Sequence, residues 1–406
     1  MSDAAPSWRA ARRLAWRVGG LAPTTARIVE LADADGLMLA RAVRALVDLP
    51  TADASAMDGW AVAGGGPWAI GATIRIGSAP GAPLRPGRAR AITTGGAVPP
   101  GTTAIVRQEH ATILDGPRGL LAMRDGRPVP ERGADLRRRG EELGAGTLLA
   151  EAGRRVHPAL IALAAAAGVD TVEVTAAADV DVVVTGDEVI DRGVPQPGRV
   201  RDAFGPALPS LLRRLGAGDV RARRGADEAD RLAEAIATTS AQLIVTTGGT
   251  AAGRSDHVQR AVRSGGGELV VAGVAMRPGH PVLFGRTGAG VPILGLPGNP
   301  LAAFACLLSF APPLLEGMAG VPMSEPAPSA DAGVTRDARR TLLRPVRLVD
   351  GVPELTGRDG SAMLMGLAGS DGFVVVPPDG VPLLLPMPGA DGAAQPVSLV
   401  ASSLSA

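Results

Sequence analysis

Lysine is missing from the 406-residue sequence and cysteine occurs once, so every permanent side-chain cation is a guanidinium and no disulfide framework or thiolate metal site is available. The single thiol, Cys306, falls in an apolar run of helical texture and reads as a small core residue. The 4 histidines, His110, His157, His257 and His280, are scattered without HxxxH spacing, which leaves no zinc site. A surplus of charge is lacking too. The formal net charge of +1 excludes extended binding to a polyanionic nucleic acid and leaves small anions as the charged partners. Arg12, Arg13 and Arg17, with Gly19 and Gly20, break up any secretory apolar segment, and no uninterrupted apolar run approaches the roughly 20 residues that span a bilayer. A cytoplasmic chain with no membrane partner is expected.

What is abundant is glycine, 55 residues, and proline, 35, which imply many tight turns, in a chain long enough for about two to four domains. From Ile28 to Leu46 apolar residues fall mainly at helical spacings, which predicts two short helices with a break at Gly36 and an end at Pro50. Residues 51–135 change to short apolar runs between glycines and prolines and read as a β-rich insertion. The segment HPALIALAAAAGV predicts a helix with Gly168 at its C-terminal cap. Helical texture on both sides of the insertion thus predicts one interrupted helical domain, residues 7–50 and 136–176. From 177 to 320 strands such as DVVVTG, LIVTTGG and PILGLPG alternate with helices, which predicts a doubly wound, mainly parallel α/β sheet that binds ligands at the carboxyl ends of its strands. Residues 321–334 read as a linker, and RPVRLV, GFVVVPP and VPLLLP within 334–406 as a β-barrel-like C-terminal domain.

Four segments offer chemistry. In LIVTTGGTAAG a strand runs into Gly248, Gly249 and Gly253, where missing Cβ atoms let backbone amides approach phosphate oxygens ahead of a helix terminus; a plain tight connection reads the same way. Asp256 is either a Mg²⁺ ligand or the cap of the following helix. In TGDEV, Asp187 and Glu188 lie just past a strand end, placed for a metal or for solvent. GLPGNPLAAF starts a helix with Asn299 as cap, Pro300 at the first position and Gly298 allowing close approach. In SAMDGWAV, Asp58 either reaches into a cleft or belongs to an Asp-Gly turn. The sum is binding of a small phosphoester beside acidic groups, without a reaction type.

Taken in order, LADADGLMLARAV, SAMDGWAV, ITTGGAVPPGTTAIVRQE, RRGEELGAGTLL, VVVTGDEV, LIVTTGGTAAGRSD, MRPGHPVLFG and ILGLPGNPLAAF resemble the molybdopterin molybdenumtransferase family, which includes the bacterial MoeA proteins and the E domain of gephyrin. The resemblance implies an elongated homodimer with its active site in a cleft between subunits. It also implies a reaction: adenylylated molybdopterin and molybdate are bound, AMP leaves in a Mg²⁺-dependent step, and the dithiolene ligates molybdenum. It gives catalytic roles to Asp58, Glu188, Asp256 and Arg277, and metal-binding roles to Glu142, Glu188 and Asp256. A pterin cradle would comprise Thr185, Gly186, Asp187, Thr247, Gly248, Gly249, Gly253, Pro297, Gly298, Asn299 and Pro300. The molybdopterin adenylyltransferase and molybdoenzyme assembly factors are the implied protein partners.

Several residues depart from the family pattern. Glu142 stands where Asp is usual, Ala251 replaces a Ser, Phe204 an Asn, and Gly273 a Lys, while Arg277 keeps a cation in place of Lys. The loss at 273 removes a charge, which in a desolvated oxyanion site costs roughly 1.5–3 kcal/mol unless another group such as Arg254 takes over. A divergent carrier that binds molybdopterin without inserting metal, and an adenylyltransferase working on the same α/β domain, are therefore the alternatives. Only the latter would consume ATP.

Overall fold

A computed structural model describes residues 5–114, 119–225, 229–249 and 257–389. The chain forms two compact units, Met1–Arg27 with Val174–Ala406, and Ile28–Glu173.

The larger unit is built on a six-stranded sheet in the order Val220–Arg224, Val180–Val184, Leu243–Thr247, Pro292–Leu296, Leu283–Arg286, Glu268–Ala272. The first four strands run parallel, Leu283–Arg286 runs against them, and Glu268–Ala272 pairs antiparallel with that strand. Alternation along each strand separates two cores. Val182, Val184, Val245 and Leu296 face a cluster shared with helices α1 (Trp8–Gly20), α3 (Leu208–Arg214) and α6 (Pro300–Met318). Val183, Ile244 and Ile293 face the cluster of α4 (Ala229–Ala237) and α5 (His257–Ser264). Burial on both faces is what the near-continuous Val, Leu and Ile runs require.

Helix α1, which the polar N-terminal sequence did not reveal, is capped by Ser7, whose Oγ accepts from the Ala10 amide at 3.3 Å. It lies along α6. At the crossing, a Cβ on Gly19 would sit 2.0 Å from the Leu314 carbonyl oxygen, and one on Gly317 2.0 Å from that of Trp16, so both glycines are required by the approach of the two backbones. Helix α6 continues through Pro312 and Pro313 to Met318. Pro313 has no N–H for the Ser309 carbonyl four residues back. Arg12 supplies the donor instead: its Nη1 lies 2.8 Å from that oxygen, its Nη2 2.6 Å from the Ser324 carbonyl, and its guanidinium over the Trp8 ring at 5.1 Å. By length and composition α6 is apolar enough to cross a membrane, which the search for uninterrupted apolar runs missed, yet it is almost wholly buried as a core helix.

The C-terminal strands Thr341–Val349, Gly372–Val376 and Leu383–Pro386 form an antiparallel sheet, extended by Val352–Leu355, and a short helix α7 (Met365–Ala368) packs nearby. Met276–Arg277 adds in parallel at one edge and Ala327–Pro328 at the other, so part of the expected linker is a strand. Among the described residues the strand order is open and does not close into a barrel.

The smaller unit contains a six-stranded sheet in the order Ala104–Arg107, Gly59–Ala63, Arg88–Ile92, Trp68–Ile70, Leu120–Met123, Ala111–Leu114, as a β-rich insertion should. The flanking segments are not mainly helical. Ala26–Glu30, Met38–Leu39 and Thr171–Thr175 form a three-stranded sheet, Leu31–Asp33 a single 3₁₀ turn, and Val43–Arg44 pairs with Leu148–Ala150. The two helices expected over 28–46 are absent because Ile28 and Leu46, counted as a buried stripe, are 72% and 65% exposed. Only α2 (Pro158–Ala166) appears there as expected, ending at Gly168, whose φ of +86° suits the cap.

Candidate functional site

Three parallel strands end side by side, Val184 opposite Thr247 and Thr247 opposite Leu296, and each continues into a segment that the sequence singled out. Hydrogen bonds lock these ends together. The Thr185 amide and hydroxyl both donate to the Thr247 carbonyl, at 3.2 and 2.7 Å, and the Gly248 amide donates to Leu296 at 2.9 Å. Gly248, at φ +84°, has no room for a Cβ, which would lie 2.8 Å from Thr185 Oγ1.

 A Cβ on Gly298 would stand 3.6 Å from the Gly248 Cα, so the two glycine turns meet backbone to backbone. Thr246 and Thr247 are buried, and their Oγ1 atoms have no hydrogen-bond partner among the described residues. An unpaired hydroxyl at a glycine-lined strand end suits an incoming phosphate oxygen.

Asp187 and Glu188 follow on an exposed turn. Arg224 Nη2 donates to the Gly186 carbonyl at 2.7 Å, Arg199 Nη1 donates to the Asp187 carbonyl, and the Val200 amide donates to that of Glu188 at 2.9 Å. Both Glu188 carboxylate oxygens lie 3.0 Å from where a Cβ on Gly186 would be, so the acid folds back towards the strand end. Asp256 and Gly253, with Ala251 and Arg254, lie outside the described residues.

Beyond the third strand end, Pro297 and Asn299 line a second feature, a pocket of about 390 Å³ with Arg277, His280, Arg340, Arg344, Asp359 and Ser361 on its walls. The short strand Met276–Arg277 carries the arginine into the C-terminal sheet beside Leu342, which brings Arg277 to the wall that Arg344 shares. Arg344 Nε lies 3.2 Å from Asp359. Asn299 does not cap α6 with its side chain, as was expected; its Nδ2 donates to Ser361 Oγ at 3.3 Å, while Pro300 does open the helix. Arg340 and Arg344 were missed by the sequence reading, because nothing in DARRTLLRPVRLV marks an arginine as facing a pocket.

Asp58 and Glu142 belong to the smaller unit. Asp58 Oδ1 accepts from the Thr94 amide at 2.7 Å and the Thr94 hydroxyl at 2.9 Å, and these bonds, the amide first, hold its carboxyl below the usual carboxylate range. Glu142 is exposed, and the neighbouring Glu141 closes the turn by accepting from the Arg138 amide at 2.6 Å. Among the described residues no three His, Cys, Asp or Glu side chains gather in metal-binding geometry.

Molybdopterin molybdenumtransferase 2 of Mycobacterium tuberculosis is 36% identical to this chain over 312 residues, covering 72% of the chain and 75% of that protein. The chain belongs to the molybdopterin molybdenumtransferase family. It is accordingly an enzyme of the transferase class in molybdenum cofactor biosynthesis, as the motif order led one to expect. The Nostoc molybdopterin molybdenumtransferase is 30% identical over 374 residues, covering 86% of this chain and 84% of its own. Residues 7–168 match the MoeA N-terminal region (domain I and II), 181–317 the probable molybdopterin binding domain, and 329–384 the MoeA C-terminal region (domain IV). A solved MoeA protein of Pyrococcus horikoshii shares the fold, with a TM-score of 0.73 at 23% identity over 94% of this chain and 99% of that one.

Two departures from the family pattern acquire a physical reading. Phe204 is 8% exposed and packs into the core that contains α3 and α6, while Asp202 Oδ1 takes over the turn by accepting from the Phe204 and Gly205 amides at 2.8 and 2.9 Å. Gly273 has φ +114°, a conformation that a lysine would adopt only with strain.

Proposed function

We propose that this chain inserts molybdate into adenylylated molybdopterin and releases AMP in a Mg²⁺-dependent step. The observation that carries the reading is that the glycine-lined strand ends and the arginine pocket share one segment, Pro297–Asn299. The glycine turn through Gly248 and Gly249 would let phosphate oxygens of the conjugate approach the backbone closely, with Thr185, Gly186, Asp187, Thr247 and Pro300 shaping the same cradle. Arg277, Arg340 and Arg344 would hold the molybdate oxyanion through charged hydrogen bonds. Mg²⁺ commonly takes one or two carboxylates together with substrate phosphates and keeps its waters. Glu188, just past the strand end, has the chemistry for one such carboxylate, and the family resemblance gives the same role to Asp256 and Glu142. When bound, the ion would neutralise charge on the phosphoanhydride. Asp58, kept ionised by Thr94, would serve the same reaction as a positioned carboxylate.

The reading extends to a cytoplasmic homodimer that receives its conjugate from an adenylyltransferase and passes its product to molybdoenzyme assembly. Purified protein given adenylylated molybdopterin, Mg²⁺ and molybdate should release AMP only when molybdate is present, and Glu188→Ala and Asp256→Ala should each lose that release. Consumption of ATP with molybdopterin would make the chain an adenylyltransferase instead. Tight pterin binding without AMP release would make it a carrier.

A further inference from the structure

The turn that carries Glu188 lies past the end of the sheet ladder. Val184 is the last residue of its strand, in register with Arg224 on one side and Thr247 on the other, and the Gly225 amide closes that end by donating to the Val184 carbonyl at 2.9 Å. The carbonyls of Gly186, Asp187 and Glu188 follow with no partner in that sheet among the described residues, and each needs a donor from elsewhere.

Two exposed arginines supply two of the three. Arg224 Nη2 donates to the Gly186 carbonyl at 2.7 Å, Arg199 Nη1 donates to that of Asp187, and the Val200 amide donates to that of Glu188 at 2.9 Å. The Gly186 oxygen also accepts from the Val189 amide at 3.1 Å, so Arg224 holds the same atom that closes the turn. Gly186 has φ +120°, and a Cβ there would stand 2.8 Å from Val189 Cγ2, which leaves the corner tightly built. The carboxylate of Glu188 itself makes no hydrogen bond or ion pair among the described residues. Guanidinium groups fork readily onto carboxylates, yet here both hold main-chain oxygens and leave the acid unpaired.

We propose that Arg199 and Arg224 are positioning residues for Glu188, fixing the backbone of its turn so that the carboxylate is presented ready-made to Mg²⁺. The inference rests on the reading of Glu188 as a ligand of that ion. It carries a sign that separates position from charge. A cation near a metal site repels the metal, so arginines acting through charge alone would weaken Mg²⁺ binding, and their removal would tighten it. Arginines that hold the turn act the other way, and their removal loosens the ligand and weakens Mg²⁺ binding.

The test takes the full chain with Arg199→Met, Arg224→Met and both together, each read in two ways. Amide hydrogen exchange at Val189 and Val200, in protein without metal or substrate, should speed up about tenfold in Arg224→Met and Arg199→Met respectively, with exchange at Val245 unchanged. In AMP release from adenylylated molybdopterin, the half-saturating Mg²⁺ concentration should rise about tenfold in each single variant and further in the double, while half-saturating molybdate stays put. Arg224→Lys, which keeps a charge and a donor, should fall between wild type and Arg224→Met. A half-saturating Mg²⁺ that is unchanged or falls, or exchange at Val189 and Val200 that does not move, would overturn the inference while leaving the transferase reading intact. AMP release by wild type that does not depend on Mg²⁺ would overturn the metal reading and the inference with it.

Discussion

The two units hold their site groups by opposite means. In the larger unit the cradle is backbone: three buried parallel strand ends, joined by amide and hydroxyl bonds, turn through glycines whose missing side chains leave space for an anion. In the smaller unit Asp58 is a side chain on an exposed turn, fixed by a single neighbour, Thr94. A backbone site is as rigid as the sheet beneath it and fails by steric intrusion. A side-chain site fails one hydrogen bond at a time.

The largest effect should come from Gly248→Val, which places branched carbon where even a Cβ lies 2.8 Å from Thr185 Oγ1 and forces φ +84° on a residue that resists it. Equilibrium binding of the adenylylated pterin should weaken by about a hundredfold or more, the scale of several lost phosphate contacts. Retained affinity would mean that the cradle is not backbone-built. Arg12→Met comes next. It strands the Ser309 and Ser324 carbonyls, each costing about 1–3 kcal/mol, so denaturant unfolding should show the larger unit destabilised by about 3 kcal/mol. Hydrogen exchange within residues 59–107 should stay as protected as before; equal loss there would contradict the independence of the two constructions.

Thr94→Val is the mildest change, since it removes the hydroxyl and keeps the amide. The Asp58 carboxyl is held below the ordinary range, so the stability of this turn is present above the ordinary carboxylate pKa and is lost as pH falls through the lowered value. In the variant the carboxyl should titrate higher, moving that loss to higher pH, with thermal stability at neutral pH little altered. Carbon-detected NMR of Asp58 reads the shift directly, and an unmoved titration would remove Thr94 from its role.

The sequence made the α/β core legible because both of its periodicities are strong: Val180–Val184 and Leu243–Thr247 are buried on both faces, and amphipathic helices alternate with them. It misled over 28–46, where Ile28 and Leu46 are exposed and apolar spacing carries no packing information. Helix α1 was hidden for the converse reason, since Arg12 is buried against the Ser309 and Ser324 carbonyls and Gly19 serves a close crossing. The glycine turns and Arg277 were readable from motifs. Arg340 and Arg344 were not, because their place on the pocket wall depends on the pairing of Met276–Arg277 with Thr341–Leu342, a contact between segments far apart in the chain. Asn299 was read for the commonest use of its type, and the structure gives its amide to Ser361 instead.

The central claim is a division of labour between pocket and strand end, and the most direct test is the molybdate saturation curve of AMP release in wild type, Arg344→Ala and Glu188→Ala. Losing one charged hydrogen bond should raise the half-saturating molybdate concentration of Arg344→Ala about ten- to a hundredfold with little change in the maximal rate. Glu188→Ala should lower the maximal rate at every molybdate concentration. An unchanged half-saturation in Arg344→Ala, or a Glu188→Ala defect cured by excess molybdate, would contradict the account.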